Sequence, residues 1–336
     1  MEFRHLGPGP VETPVVVFGA WALGGGYWGA RRDAAAAAAL DAAFAGALPA
    51  VDTAPIYGFG HSEELVGQAL ARAPRRPLVF TKCGLRWDDP EERGELAFEG
   101  RGEGGRPVRV HRCSRPDSIV LECDRSLARL GVERIDLLQV HWPDPTTPIE
   151  DTMGALRELH LAGKVAAVGV SNYSAEQLER ARVALGDVPL SSDQPRYSLV
   201  HREAEAEVLP WCLEHGVGTL VYSPLEQGLL TGTVGPQRTF TDDDARSKRP
   251  TFEPRARAVV NEILQRVVAP VAERLDASVA QVVLAWTIAR PGVTAVLAGC
   301  RDPEQVRENA RAGELVLEPE EWRAIDAAFR DLDLPR

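Results

Sequence analysis

Short apolar runs recur along the chain, each followed by a stretch in which apolar positions return every three to four residues. The runs at 15–18, 49–53, 78–82, 134–141, 165–171, 190–194, 218–223 and 294–300 predict strands. The intervening stretches at 33–45, 62–72, 117–130, 149–162, 174–184, 203–215, 255–290 (read as two helices), 303–312 and 319–329 predict helices. Ile149, Met153, Leu156 and Leu159, for example, fall on one buried helical face. Leu78-Val79-Phe80 and Val165-Ala166-Ala167-Val168 are apolar without alternation. Such strands are buried on both faces, as in a parallel sheet covered by helices. Repeated strand-helix units of this kind predict a closed (β/α)8 TIM barrel, a single α/β domain over residues 1–336.

Three stretches fall outside the alternation. Residues 1–13, with Gly7-Pro8-Gly9-Pro10, read as a turn or small hairpin under the barrel floor. Residues 86–116 are polar and Gly-rich, and 226–254 lack periodicity, so both read as long loops. Each follows the C-terminal end of a strand, where barrels of this type build their active sites.

Composition narrows the function classes. With 336 residues, 44% hydrophobic and 26% charged, the chain has the balance of a soluble globular protein, neither disordered nor a membrane channel. Its net charge of −11 disfavours a nucleic-acid binder. Cys83, Cys113, Cys123, Cys212 and Cys300 include no C-x-x-C, which points away from disulfides and zinc and towards a reducing cytoplasm. Residues 14–29 are too short and Gly-rich for a membrane span. Arg31-Arg32 before the Ala run is interrupted by Asp33 and Asp41, so Asp33 reads as a helix N-cap rather than part of an export leader.

Polar residues gather at one end of the strands. Asp52 follows Ala50-Val51, Lys82 closes the third strand, His141 the fourth and Ser171-Asn172 the fifth, and Gln194 follows the sixth. Tyr222-Ser223-Pro224 and Gly299-Cys300-Arg301 end the last two. Lys and Asp are rarely buried unpaired, so an Asp52–Lys82 ion pair is expected. Tyr57, five residues after Asp52, falls within reach, and a nearby ammonium is expected to lower its pKa towards neutrality. His141 would orient a carbonyl oxygen. The set suits reduction of a C=O group, with Tyr57 as proton donor and hydride from a cofactor. Arg301-Asp302-Pro303-Glu304-Gln305 reads as a helix start with Asp302 as N-cap, a place where anions bind. Arg301 would add a charge suited to a phosphate, and Glu308 and Asn309 would meet an adenine.

A rival reading takes Gly24, Gly26 and Gly29 as a G-x-G-x-x-G dinucleotide fingerprint with Asp52 as the ribose acid. Several residues separate Phe18 from Gly24, and Tyr27 and Trp28 crowd the approach, so the match reads as coincidental, as does the one at Gly100, Gly102 and Gly105. No metal motif and no G-x-S-x-G elbow is present. Cys83 reads as a small buried hydrophobe rather than a nucleophile. Trp21, Trp28, Trp87 and Trp142 stand near loop starts as core or substrate-stacking residues.

Val51-Asp52-Thr53-Ala54, Tyr57-Gly58, Ser62-Glu63, Thr81-Lys82, Gln139-Val140-His141, Gly169 to Asn172, Gln194-Pro195, Tyr222 to Leu225 and Gly299 to Asn309 together resemble the aldo-keto reductases, nearest their bacterial stress-protein-like branch. The resemblance implies a barrel that binds NADP(H), with Asp52, Tyr57, Lys82 and His141 as a catalytic tetrad. It implies Ser171, Asn172 and Gln194 at the carboxamide, Tyr222 stacked on the nicotinamide, and Ser223, Pro224, Leu225 and Gly228 along the diphosphate. Gly19, Ala20, Trp21 and Asp52 would complete the cofactor cleft, and Gly299, Arg301, Gln305, Glu308 and Asn309 would surround the adenosine phosphate. Cys300 and Arg196 depart from the family pattern. The expected partner is a small carbonyl substrate, with no nucleic acid and no membrane, for a monomer or homo-oligomer. The alternatives are an NADPH-binding regulatory subunit with little turnover, and a Schiff-base aldolase using Lys82.

Overall fold

The computed structural model describes residues 1–25, 32–102, 105–241, 244–332 and 334. Eight parallel strands close a barrel: β3 (Val16–Gly19), β4 (Ala50–Asp52), β5 (Leu78–Cys83), β9 (Ile135–Val140), β10 (Val165–Ser171), β11 (Leu190–Gln194), β12 (Gly218–Tyr222) and β13 (Ala295–Gly299), which returns to pair with β3. Each neighbouring pair is parallel, and Gly19 stands in register with both Asp52 and Gly299. The predicted barrel is therefore the observed fold.

Two apolar layers hold it. Val17, Ala50, Phe80, Leu137, Ala167, Leu220, Ala295 and Leu297 fill the interior, while a larger cluster binds the outer strand faces to the helices. Leu6 and Val11 join the interior from a hairpin of β1 (Phe3–His5) and β2 (Glu12–Pro14). That hairpin plugs the N-terminal end: a Cβ on Gly7 would stand 2.4 Å from the Ser191 carbonyl oxygen at the start of β11. The opposite rim is left open for polar residues.

The outer helices are α1 (Asp33–Ala42), α2 (His61–Leu70), α3 (Pro116–Leu130), α4 (Ile149–Leu161), α5 (Ala175–Leu185), α6 (Val208–His215), α7 (Pro254–Ile263), α8 (Ala269–Arg274), α9 (Val279–Ile288), α10 (Pro303–Ala312) and α11 (Pro319–Arg330). Asp33 is the first residue of α1 rather than its cap, and its carboxylate accepts from His61 Nε2 at 3.0 Å. The 255–290 region holds the expected two helical segments, one running from Pro254 to Arg274 through α7, a π-turn and α8, and one formed by α9. Pro270 has no N–H to donate, and the chain passes through a π-turn at Leu264–Val268 just before it.

Residues 86–116 are not an irregular loop. β6 (Leu85–Arg86), β7 (Glu95–Arg101) and β8 (Pro107–Arg112) form a small antiparallel sheet, with a bulge between Leu96 and Phe98. The described residues of 226–254 include short 3-10 turns at Glu226–Thr231, Ala245–Lys248 and Pro250–Phe252. Among the described residues no helix is long and apolar enough to cross a membrane, and no group of side chains is arranged to hold a metal ion. All five cysteines are buried and unpaired.

Candidate active site

Because all eight strands run the same way, Asp52, Lys82, His141, Ser171, Gln194, Tyr222 and Gly299 come to a single rim. Asp52 and Lys82 sit on adjacent strands, and Lys82 Nζ lies 2.5 Å from Asp52 Oδ1, with both side chains at most 3% exposed. A buried pair of this kind holds only if its remaining donors and acceptors are satisfied. They are: Lys82 Nζ also donates to the Thr53 carbonyl at 3.0 Å and to Tyr57 Oη at 3.2 Å. Asp52 Oδ2 accepts from Gln194 Nε2 at 2.8 Å and from Gln139 Nε2 at 3.3 Å.

The loop after β4 brings Tyr57 back over Lys82. Tyr57 N donates to the Ala54 carbonyl, and the Tyr57 carbonyl accepts from Ser62 N at the start of α2. Ser62 Oγ bonds Thr53 Oγ1 and the Ala20 carbonyl, tying the loop to two strand ends. His141 meets Tyr57 edge to face, ring centroids 5.8 Å apart at 80°. The four residues of the expected tetrad therefore converge.

Burial raises the Tyr57 phenol above its ordinary 10.0, although Lys82 offsets part of the effect by charge and hydrogen bond. This corrects the expected lowering: a nearby ammonium is visible in a sequence, but the loss of water around the phenol is not. Burial alone would lower the Lys82 ammonium, yet Asp52 and Tyr57 outweigh it and raise it above 10.5. Burial, with Lys82 assisting, drops His141 well below 6.5, so the imidazole is neutral at neutral pH. The Cys83 thiol is pushed well above 9.0 by burial and is no nucleophile.

The expected cofactor residues fall into two groups. At the mouth, Tyr222 Oη donates to Asn172 Oδ1 at 2.9 Å, and Asn172 Nδ2 donates to Ser171 Oγ at 2.9 Å and to the His141 carbonyl at 3.1 Å. Ser171 Oγ in turn donates to the Gln194 carbonyl at 2.7 Å. Gln194 contributes its side chain to Asp52 rather than to this row. Beyond Tyr222, the turn through Ser223, Pro224 and Leu225 carries Ser223, Glu226, Gln227 and Gly228 in the left-handed region, at φ 58, 44, 54 and 95. Gly19 ends β3 in register with Asp52, Ala20 and Trp21 begin the 3-10 turn that follows it, and a Cβ on Gly19 would stand 3.4 Å from the Ala298 carbonyl carbon.

The second group lies at the start of α10. Asp302 caps it, accepting from Gln305 N at 2.9 Å, and Gln305 Oε1 accepts from Arg301 N at 3.1 Å. Arg301 is exposed beside that helix end. Glu308 accepts from Ser278 Oγ at 2.6 Å, and Asn309 is buried with its amide donating to Cys300 Sγ at 3.2 Å. A hydroxyl, an amide and a phenol in a row suit an amide group, and a capped helix N-terminus beside an arginine suits a phosphate.

Gln139 was not among the expected site residues, although its side chain lies on Asp52. Its signal was a side-chain amide in the strand Ile135–Val140, whose one other polar residue is Asp136. The Gly24 end of the glycine-rich stretch packs on Tyr57 and Gly58, while Gly26, Tyr27, Trp28, Gly29 and Arg31 lie outside the described residues.

Comparison with known proteins agrees with the barrel fold. Aldo-keto reductase YhdN of Bacillus subtilis (strain 168) is 34% identical, over 98% of this chain and 94% of its own length. The NADH-specific methylglyoxal reductase of Escherichia coli (strain K12) is 36% identical, over 93% of each chain. The solved structure of a glycerol dehydrogenase from Gluconobacter oxydans aligns with a TM-score of 0.85 at 37% identity, over 97% of this chain and 94% of that one. The Aldo/keto reductase family model matches residues 15–330, and the chain belongs to that family.

Proposed function

We propose that the protein reduces aldehydes or ketones to alcohols with a reduced nicotinamide cofactor, using Asp52, Tyr57, Lys82 and His141. The observation that carries the reading is Lys82 Nζ, which touches Asp52, the Thr53 carbonyl and Tyr57 Oη together. A reduced nicotinamide held at this rim would supply the hydride for such a reduction. Tyr57 Oη gives its proton to the carbonyl oxygen as negative charge develops there. Its raised pKa keeps the phenol protonated and ready at neutral pH. Lys82 stabilises the phenolate left behind, and Asp52 holds Lys82 charged and aimed. Neutral His141 donates a ring N–H to the same oxygen and fixes its position.

Ser171 and Asn172 would hold the carboxamide, Tyr222 would lie against the nicotinamide ring, and the Ser223–Gly228 turn would face the diphosphate. Arg301 and the α10 N-terminus would take a 2′-phosphate, which favours NADPH. The relatives named for methylglyoxal and glycerol favour small polar carbonyl substrates. The test is oxidation of NADPH and of NADH, followed by absorbance, against a panel of small aldehydes and ketones. Turnover with at least one carbonyl is expected. Cofactor binding without turnover of any would favour a regulatory role.

A further inference from the structure

Behind the strand end that carries Lys82, α3 presents a carboxylate to the backbone. Glu122 is 4% exposed, and the Gly84 N–H points between its two oxygens, 3.1 Å from each. Ser118 Oγ, one turn earlier on α3, donates to Glu122 Oε1 at 3.2 Å and accepts from Arg86 Nη1 at 2.8 Å. Gly84 sits at φ 88, where the chain turns between β5 and β6. The Cys83–Gly84 peptide is shared with the tetrad, because the Cys83 carbonyl accepts from His141 N at 2.9 Å. One peptide thus links the residue after Lys82 to the backbone of His141, and Glu122 grips its nitrogen.

We propose that Glu122 is a positioning residue: its carboxylate, by holding the Gly84 amide, sets where β5 ends and so where Lys82 and His141 meet Tyr57. The consequence for catalysis rests on the reductase reading. A hydrogen bond to an ionised carboxylate is roughly twice as strong as one to a neutral acceptor. Protonation also turns one of the two accepting oxygens into a donor, so the grip is tightest when Glu122 is ionised.

The neighbours make that ionisation sensitive to pH. Burial pushes Glu122 up to about 7, opposed by Arg86, the Gly84 amide and Ser118 and reinforced by Asp88. The thiols of Cys83 on β5 and Cys113 after β8 also face it, and burial keeps both neutral there. Cys123, next along α3, is pushed up to about 12. Within the tetrad, Tyr57 and Lys82 titrate far above neutrality and His141 far below. Asp193, beside Gln194 on β11, is the competing buried carboxyl, pushed up to about 8.

The test compares wild type, Glu122→Gln, Arg86→Met and Asp193→Asn in two measurements. The first is kcat and KM between pH 5.5 and 9. The second is hydrogen exchange of the Gly84 segment, corrected for intrinsic rate, in enzyme without substrate. Wild-type kcat is expected to rise about threefold or more through pH 7 with KM little changed. Glu122→Gln should be flat at the acid-side value. Arg86→Met, which keeps Glu122 but removes its attracting charge, should move the rise to higher pH. Gly84 exchange should be faster in Glu122→Gln than in wild type at pH 8 and equal at pH 5.5. A rise that persists in Glu122→Gln, or one that vanishes in Asp193→Asn instead, overturns the proposal, as does equal Gly84 exchange at pH 8. Wild-type enzyme that turns over no carbonyl yet shows the exchange difference overturns the reductase reading and leaves the grip on Gly84 standing.

Discussion

Gly24 lies against the backbone of Tyr57 so closely that a Cβ on it would stand 2.6 Å from the Tyr57 carbonyl carbon and 2.7 Å from Gly58 N. The contact is reciprocal, since a Cβ on Gly58 would stand 2.5 Å from the Gly24 carbonyl oxygen. Glycine at 24 is therefore needed for close approach to the loop that carries the phenol, and that accounts for the first glycine of the apparent dinucleotide fingerprint. In Gly24→Ala the extra methyl has only backbone to displace, so Tyr57 Oη should move away from Lys82 Nζ. Misplacement on the order of 1 Å costs up to about a hundredfold in rate. We expect kcat to fall between about tenfold and a hundredfold, with the Kd of the reduced cofactor within about twofold of wild type. Lost cofactor affinity at unchanged kcat would restore the fingerprint reading.

Tyr57→Phe removes the proposed proton donor and leaves the ring that packs against His141. General acid catalysis is worth about 10² to 10⁴ in rate, so carbonyl reduction should fall by at least about a hundredfold while cofactor binding by fluorescence titration barely changes. The raised Tyr57 pKa adds a pH signature. A phenol raised above 10.0 stays protonated through the physiological range, so wild-type reduction should not lose its proton donor until strongly alkaline pH. Alcohol oxidation needs the phenolate and should climb over the same range. Reduction that halves between pH 7 and 8 in the Glu122→Gln background would contradict that assignment.

The barrel was legible because its strands are buried on both faces: Val79-Phe80 and Leu137-Leu138 have no polar alternation to confuse with an amphipathic element. The site was legible for a related reason, since Asp52 and Lys82 are charged residues at the ends of those runs and need partners. What stayed hidden depends on tertiary detail. Strands β7 and β8 carry Glu95, Glu99, Arg109 and Arg112 paired across the small sheet and outwards to Glu92, which reads as a polar loop until the partners are known. Gln194 was expected on a carboxamide, but whether its amide turns to the cleft or to Asp52 is decided by a side chain 142 residues away.

Arg301 tests the choice of cofactor. It is exposed at the N-terminus of α10, with its backbone bound to Gln305, so removing its side chain should leave the helix start intact. A charge-assisted contact to a phosphate is worth about 1.5 kcal/mol or more, which is roughly tenfold in Kd. Arg301→Ala should weaken NADPH binding by about that factor and leave NADH within about twofold. Equal losses for both would remove the phosphate contact from Arg301 and bring this chain nearer to its NADH-specific relative.

Asp193 makes the stability of the fold depend on pH. Its carboxyl is fully buried on β11 with neither oxygen in a well-formed hydrogen bond, and burial pushes it up to about 8, eased only by the nearby amides of Tyr173 and Gln194. The folded value lies above the ordinary 3.8, so the fold favours the protonated form. Its contribution is complete below about pH 4 and is lost progressively as pH rises through about 8, because over that interval the folded chain holds a proton the unfolded chain has released. A tenfold change in proton affinity is worth about 1.36 kcal/mol, and relaxation around the carboxylate brings the total to on the order of a few kcal/mol. Asp193→Asn has nothing to ionise and is nearly the same shape, so its Tm relative to wild type should be higher at pH 9 than at pH 6. At about 2 to 4 °C per kcal/mol in large domains, the gap should widen by about 4 °C or more. Glu122 is present in both proteins and cancels from the difference. A gap that is the same at both pH values would mean that Asp193 is already ionised in the folded protein at pH 6, with a partner other than those backbone amides.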